Sequence, residues 1–336
     1  MSDYQDWKQL IHSEKWLLFP ENIGKRISID EVALSQGELY TVVTNKSAKG
    51  RKGAIIAIIE GTKSEIVIEH LLKIPYNIRN QVEEITLDMA SSMKAIATHC
   101  FTRAVQVVDR FHVQKLCVEA VQEIRIKHRW DVLEQENEKI KQAKQNKKTY
   151  QEQILENGDT VKQLLARSRY ILYKSRNNWT ENQKQRAQIL FKLFPDLENA
   201  YKLSEKLKFI YNSKIKKEIA ITKLAHWYKD VEESVLNSFN TIKNTIQLNY
   251  IAIINYFENR STNASAESFN AKIKAFRAQF RGVKSKSFFL YRLTKIYAKS
   301  PTFGIDPMLP FTENSKDFKT KKPLFFKGFK CSGYES

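Results

Sequence analysis

The stretch EITLDMASSMKAIATHCFTRAVQVVDRFHV, residues 84–113, holds two short apolar runs, each closed by an aspartate. Ile85 and Leu87 alternate with Thr86 and Asp88, and Val105 and Val107 alternate with Gln106 and Val108 ahead of Asp109, so each run predicts a buried strand. Between them, Met89–Phe101 has the composition of one helix. A strand, a crossover helix and a parallel strand make a βαβ unit, and in open α/β sheets the chemistry collects at the carboxyl ends of the strands. Asp88 and Asp109 both stand there.

Upstream, RISIDEVAL (26–34) places Ile27 and Ile29 on one strand face and Ser28 and Asp30 on the other. Asp30 falls where a strand should hold a hydrophobe or end. ELYTVVTN (38–45) and GAIIAIIEG (53–61) are two more β-rich runs, separated by the turn-prone, basic NKSAKGRKG (45–53). Three successive strands predict an antiparallel meander. SEIVIEHLLKIP (64–75) has near-helical apolar spacing and is closed by Pro75. Residues 1–25 hold one short amphipathic candidate, Trp7–Leu18, and read as a lead-in. The order strand, strand, strand, helix, strand, helix, strand, helix is that of an RNase H-like domain, an α/β fold whose mixed sheet is antiparallel first and parallel later.

From about Phe111 to Asn249 the β signals disappear. EQENEKIKQAKQNKKTYQEQ (134–153) is so polar that it predicts a solvated helix or hairpin tip. Thr180 with Gln183 predicts a capping box for a helix ending before Pro195, and a later helix carries Leu224, Trp227, Tyr228 and Val231, with Trp227 as core of the segment. These residues read as a large all-α insertion before the last catalytic helix. The expected organisation is a lead-in (1–25), the first part of the core (26–115), the insertion (116–250), the C-terminal core helices (251–300) and a basic tail (301–336).

The chain of 336 residues carries 56 Lys plus Arg against 37 Asp plus Glu, a formal charge of +19. That excess predicts a polyanionic partner, nucleic acid first, against the plainer reading of a merely basic soluble protein. Cys100, Cys117 and Cys331 are widely spaced, which excludes a disulfide framework and an ordinary zinc finger and fits a reducing cytoplasm. The N-terminus is acidic and broken by charges, unlike a signal peptide, and no apolar run approaches the roughly 20 residues needed to span a bilayer.

A third acidic position comes from STNASAESFNAKIKAFRAQFRG (261–282). With Thr262 or Asn263 as cap, a helix presents Ala266, Phe269, Ile273, Phe276 and Phe280 on one face and Asn263, Glu267, Asn270 and Lys274 on the adjacent one. Such a polar stripe alone would be an ordinary solvated face. Asp30, Asp88 and Glu267 together can converge on one edge of the sheet, where three carboxylates repel one another unless cations lie between them. Hard oxygen ligands suit Mg²⁺ or Mn²⁺, and two such ions suit phosphodiester chemistry. Glu31 is an alternative to Asp30, although adjacent strand residues point to opposite faces. Asp109 is the alternative to Asp88.

The segments IDE (29–31), TLDMASSM (86–93), VVDRFHV (107–113) and NASAESFNAKIK (263–274), supported by RYILYKSRNNWT (169–180) and LFPDLENAYKL (193–203), resemble the bacterial insertion-sequence DDE transposases of the ISL-three group. The resemblance runs from about residue 25 to 297. It implies an RNase H-like core interrupted by an α-helical insertion, with Asp30, Asp88 and Glu267 holding two divalent ions. It also implies an Asp-x-x-His element, here Asp109 and His112, beside the active site; His112 would contact DNA or orient a carboxylate, its alternative being a satisfied core histidine. The implied activity is 3′-end cleavage and strand transfer of an insertion sequence in the bacterial nucleoid, with DNA as partner and a homodimer in the DNA complex. The competing readings are a non-catalytic DNA-binding remnant or partner subunit, and a metal-dependent nuclease. Members of the group usually carry zinc-binding and helix-turn-helix modules ahead of the core, where this chain has about 25 residues, so end recognition is expected either from a separate polypeptide or to have been lost. The tail KDFKTKKPLFFKGFK (316–330) interleaves phenylalanines with lysines and reads either as a segment that binds DNA or packs on a partner, or as a disordered tail.

Overall fold

The computed structural model describes residues 2–34, 37–280 and 282–299. The basic tail and Cys331 lie outside the described residues. A six-stranded sheet is built from β1 (Trp16–Leu18), β2 (Arg26–Ala33), β3 (Leu39–Asn45), β4 (Ile55–Glu60), β5 (Glu84–Leu87) and β6 (Val105–Val108), in the order β1-β4-β3-β2-β5-β6. β2, β3 and β4 are antiparallel neighbours, whereas β5 runs parallel to β2 and β6 parallel to β5. The meander followed by a parallel extension is the arrangement expected from the alternation of the apolar runs. The lead-in differs from expectation. It holds the short α1 (Ser2–Gln5) and then β1, which pairs with β4 at the sheet edge. Leu17 and Phe19 are buried on one face while Trp16 and Leu18 pack on the other, so an alternation of only four residues, not a helical period, governs this segment.

Strand parity sorts the sheet into two faces. Ile27, Ile29, Val43, Ile85 and Leu87 pack against α2 (Ser64–Leu71) and α4 (Ser91–Cys100), with the turn α3 (Tyr76–Arg79) between them in the chain. Val32, Tyr40 and Val42 face Phe269 and Ile273 of α14 (Ala264–Gln279) and Phe289, Leu290 and Leu293 of α15 (Lys286–Tyr297). Thus the last two helices of the described chain cover a face made by the first strands.

After β6 the chain leaves the sheet in one helix of 36 residues, α5 (Arg110–Gln145). Its first third is buried through Val113, Cys117 and Val121, and its distal half is charged and exposed, the solvated helix read from composition. The expected boundary at 115/116 falls within this unbroken helix. α6 (Val161–Arg167), α7 (Arg169–Tyr173), α8 (Glu181–Leu193), α9 (Pro195–Asn212), α10 (Lys217–Ser234), α11 (Asn237–Leu248), α12 (Tyr250–Ile254) and α13 (Tyr256–Asn259) follow and share a core with the base of α5 and with Val107 and Val108 of β6. Thr180 and Gln183 form the expected capping box, and Trp227 is fully buried with its indole N–H donated to the Leu203 carbonyl.

α14 is fastened to the meander by an ion pair. The Arg277 guanidinium donates Nε to Glu38 Oε2 at 3.1 Å and Nη2 to Oε1 at 2.8 Å, and both side chains are buried. Removing one partner of a buried pair strands the other charge. Arg277→Ala is therefore expected to lower unfolding stability by about 3–5 kcal/mol in urea titrations, with most of the loss recovered in an Arg277→Met, Glu38→Leu double variant.

Candidate active site

The register of the sheet aligns the acidic residues. Ser28 of β2 lies opposite Thr86 of β5, and Thr86 lies opposite Val107 of β6. Two residues farther along each strand, on the same face, stand Asp30, Asp88 and Asp109. Pairing between β2 and β5 stops at Ser28, while β2 continues against β3 as far as Ala33. Asp30 therefore sits mid-strand beside an open notch where β5 has ended. That geometry accommodates an aspartate between the buried Ser28 and Val32 on one face of the strand.

Each carboxylate is oriented by nearby donors. Asp30 Oδ1 accepts the Glu31 N–H at 2.8 Å and its Oδ2 accepts Asn270 Nδ2 at 2.6 Å. Asp88 Oδ1 accepts the Ala90 N–H at 2.8 Å. Asp109 is 2% exposed, and its two oxygens accept the Phe111 and Asn263 backbone N–H groups at 3.1 and 2.9 Å. Glu267 lies one turn into α14 with its backbone N–H bonded to the Asn263 carbonyl at 2.8 Å. Ligand atoms of Asp109, His112 and Glu267 all lie within 4.8 Å of one another, so the tightest triple at this edge is not the expected Asp30, Asp88 and Glu267. Asp30 joins it electrostatically: burial is the main cause that raises its carboxyl above the usual range, with Asp88 and Asp109 adding and His112 opposing. Burial likewise raises Glu267, with Asp109 and Asp30 adding and His112 opposing. Asp88 reaches the group through Asp30 and Glu31.

The accessory stripe divides. Asn270 holds Asp30, Lys274 is exposed, and Asn263 contributes its backbone while both atoms of its buried side-chain amide lack a partner. Glu31, on the opposite strand face, is exposed. Cys100 and Cys117 are buried free thiols; burial pushes Cys100 up to about 11. A second polar cluster beneath the site had gone unread in the sequence. Glu84, buried at the start of β5, accepts from Asn259 Nδ2 at 3.2 Å and from the Ser261 hydroxyl. Lys46 donates to Thr86 Oγ1 at 2.7 Å and lies 3.6 Å from Glu84. Burial lowers the Lys46 ammonium, and Glu84 opposes that shift. The parity of Glu84, Thr86 and Asp88 was the available signal, since all three must share a face.

The donor set fits a hard divalent cation. Among the described residues no Lys or Arg forms an ion pair with Asp30, Asp88, Asp109 or Glu267, in a chain with 56 such cations. Carboxylate oxygens with one imidazole, none of them ion-paired to Lys or Arg, suit Mg²⁺ or Mn²⁺.

A family model described as a transposase, that of the ISL-three group of DDE transposases, matches residues 27–293. The chain belongs to that family and corresponds to its catalytic core. No curated protein and no solved structure matches it. Among the described residues no helix is long and apolar enough to cross a membrane.

The raised carboxyls set a pH signature. A carboxyl whose folded pKa lies above its unfolded value binds more protons when folded, so metal-free stability falls as pH rises between those two values and is regained on acidification. Asp30→Asn removes one such charge. Metal-free thermal denaturation at pH 7 is expected to show a higher midpoint for Asp30→Asn than for the wild type, the difference vanishing at pH 3. Added Mn²⁺ is expected to raise the wild-type midpoint and leave that of Asp30→Asn nearly unmoved.

Proposed function

We propose that this chain is the RNase H-like catalytic core of a metal-dependent DNA transposase, which cleaves the 3′ ends of an insertion sequence and joins them to target DNA. The observation that carries the reading is the row of carboxylates closed by Glu267 and left without Lys or Arg partners in a strongly basic protein. The family match supports the class of activity. Asp30, Asp88 and Glu267 are the residues proposed to hold two Mg²⁺ or Mn²⁺ ions. When bound, such ions supply Lewis-acid charge for in-line displacement at phosphorus.

The remaining work belongs to the chain. β2 holds Asp30 mid-strand, Asp88 follows the last residue of β5, and α14 carries Glu267 to the same edge from the far side of the helical insertion. Asn270 ties up one oxygen of Asp30 and so orients the carboxylate. His112, in the first turn of α5, lies near Asp30 and Glu267 and favours their ionised forms. The positive charge of the chain would hold the DNA phosphates. Residues 26–115 and 251–300 are proposed as the two parts of the core and 116–250 as the insertion. Acting on two ends implies a homodimer in the DNA complex.

The test is a cleavage and strand-transfer assay with Mg²⁺ or Mn²⁺ on labelled element ends, comparing wild type with Glu267→Gln. The substitution keeps the side chain's shape and removes its charge. Joined products are expected from wild type and a loss of at least about 100-fold in the variant, in line with removal of a group that stabilises the transition state. Cleavage without joining would mark a nuclease. Equal activity in both proteins would remove Glu267 from the site, and DNA binding without chemistry, even with the neighbouring gene product added, would mark a non-catalytic remnant.

A further inference from the structure

Asp109 differs from the other carboxylates of the edge. It is 2% exposed, whereas Glu267 faces solvent, and both of its oxygens are engaged by backbone amides. Those amides open two different helices. Phe111 N–H belongs to the first turn of α5, for which Asp109 is the N-cap. Asn263 is the N-cap of α14, and its own side chain makes no capping bond. The first-turn amides of a helix lack partners within the helix and carry the positive end of its dipole, so a carboxylate there is stabilising. Asp109 thus satisfies the N-cap N–H of α14 from outside the helix, at its positive end.

We propose that Asp109 is a positioning residue that pins the start of α14 to the end of β6 and so places Glu267, and that it is not a metal ligand. The inference rests on the reading of Glu267 as a ligand. The path is short: Asp109 Oδ2 accepts the Asn263 N–H at 2.9 Å, and the Asn263 carbonyl accepts the Glu267 N–H at 2.8 Å. The segment entering α14 is tethered along its length in the same manner. Asn255 Nδ2 donates to the Gln106 carbonyl at 3.1 Å, Asn259 and Ser261 donate to Glu84, and Asn263 donates to Asp109. It therefore runs along β5 and β6 from their amino to their carboxyl ends. Asp109 is the last tether before Glu267. Its nearness to His112 and Glu267 makes ligation the competing role.

Two readouts separate the roles. In metal-free protein, hydrogen–deuterium exchange of a peptide spanning residues 261–270 is expected to quicken by at least tenfold in Asp109→Asn, because an amide accepts only one of the two N–H bonds. Glu267→Gln is expected to leave exchange at the wild-type rate. Asn263→Pro, which deletes the donor and keeps Asp109, is expected to behave like Asp109→Asn, with Asn263→Ala as the control for the lost side chain. In the strand-transfer assay Asp109→Asn is expected to lose about 10–100-fold, as when an orienting partner is removed. Thiolate ligands favour softer ions, so Asp30→Cys and Asp88→Cys are expected to regain activity when Mn²⁺ replaces Mg²⁺, and Asp109→Cys is not. Mn²⁺ rescue of Asp109→Cys, or wild-type exchange in Asp109→Asn, overturns the proposal. If the wild type neither cleaves nor joins DNA, the functional reading fails while the exchange experiment still decides whether Asp109 holds α14.

Discussion

Burial of carboxylates beside one another at one edge of the sheet is the constraint around which this molecule is built. β2, β5 and β6 run in the same direction and place aspartates side by side on one face, and α14 adds a glutamate to the same edge. Carboxylates at neighbouring strand spacing, about 4.8 Å, oppose one another and oppose folding when ionised. The fold meets this cost with packing elsewhere. On one face of the sheet Ile27, Ile29, Ile85 and Leu87 are sealed by α2 and α4. On the other, Phe269 and Ile273 of α14 are buried against Val32 and Val42. The acidic row sits where that apolar cover stops.

The arrival of α14 is over-determined. Apolar residues fix its face, the Arg277–Glu38 pair fixes its distal end, and the Asp109–Asn263 bond fixes its start. Buried ion pairs are weak sources of net stability and strong sources of registry, because their geometry is satisfied in one arrangement only. A slip of α14 by one residue would turn Glu267 by about 100° away from the sheet edge. Three independent restraints on a helix of 16 residues suppress such a slip.

Much of the sheet was legible because burial imposes a period of two. Alternation in RISIDEVAL and EITLD set Asp30 and Asp88 apart from the apolar positions of their strands, and the 3.6-residue spacing of Ala266, Phe269 and Ile273 put Glu267 on an amphipathic helix, whereas the face that this helix covers is a matter of tertiary packing. β1 was misread because three residues are too few to show a period against the charged surroundings of the lead-in. The engagement of Asp109 was not legible, since its partner Asn263 comes 154 residues later and the bond uses a backbone amide that carries no sequence signature. The same holds for Asn263: its residue type suggested a side-chain cap, and the structure uses its backbone. Glu84 could have been found from parity alone, its charge being unexpected in a strand buried on both faces.

The distance in sequence between the two halves of the acidic edge bears on the order of events during synthesis. Asn270 meets Asp30 across 240 residues, and the intervening chain includes a run of helices whose core is shared with β6. Helices form from local contacts and fast, whereas closure across so long a span waits until its last residues exist. A nascent chain emerging from its amino end can assemble the meander and the βαβ unit, and with them three aspartates, long before Glu267 leaves the ribosome. The acidic edge is therefore completed only once Glu267 and Asn270 have been made, and products truncated ahead of them carry the strands without the closing carboxylate.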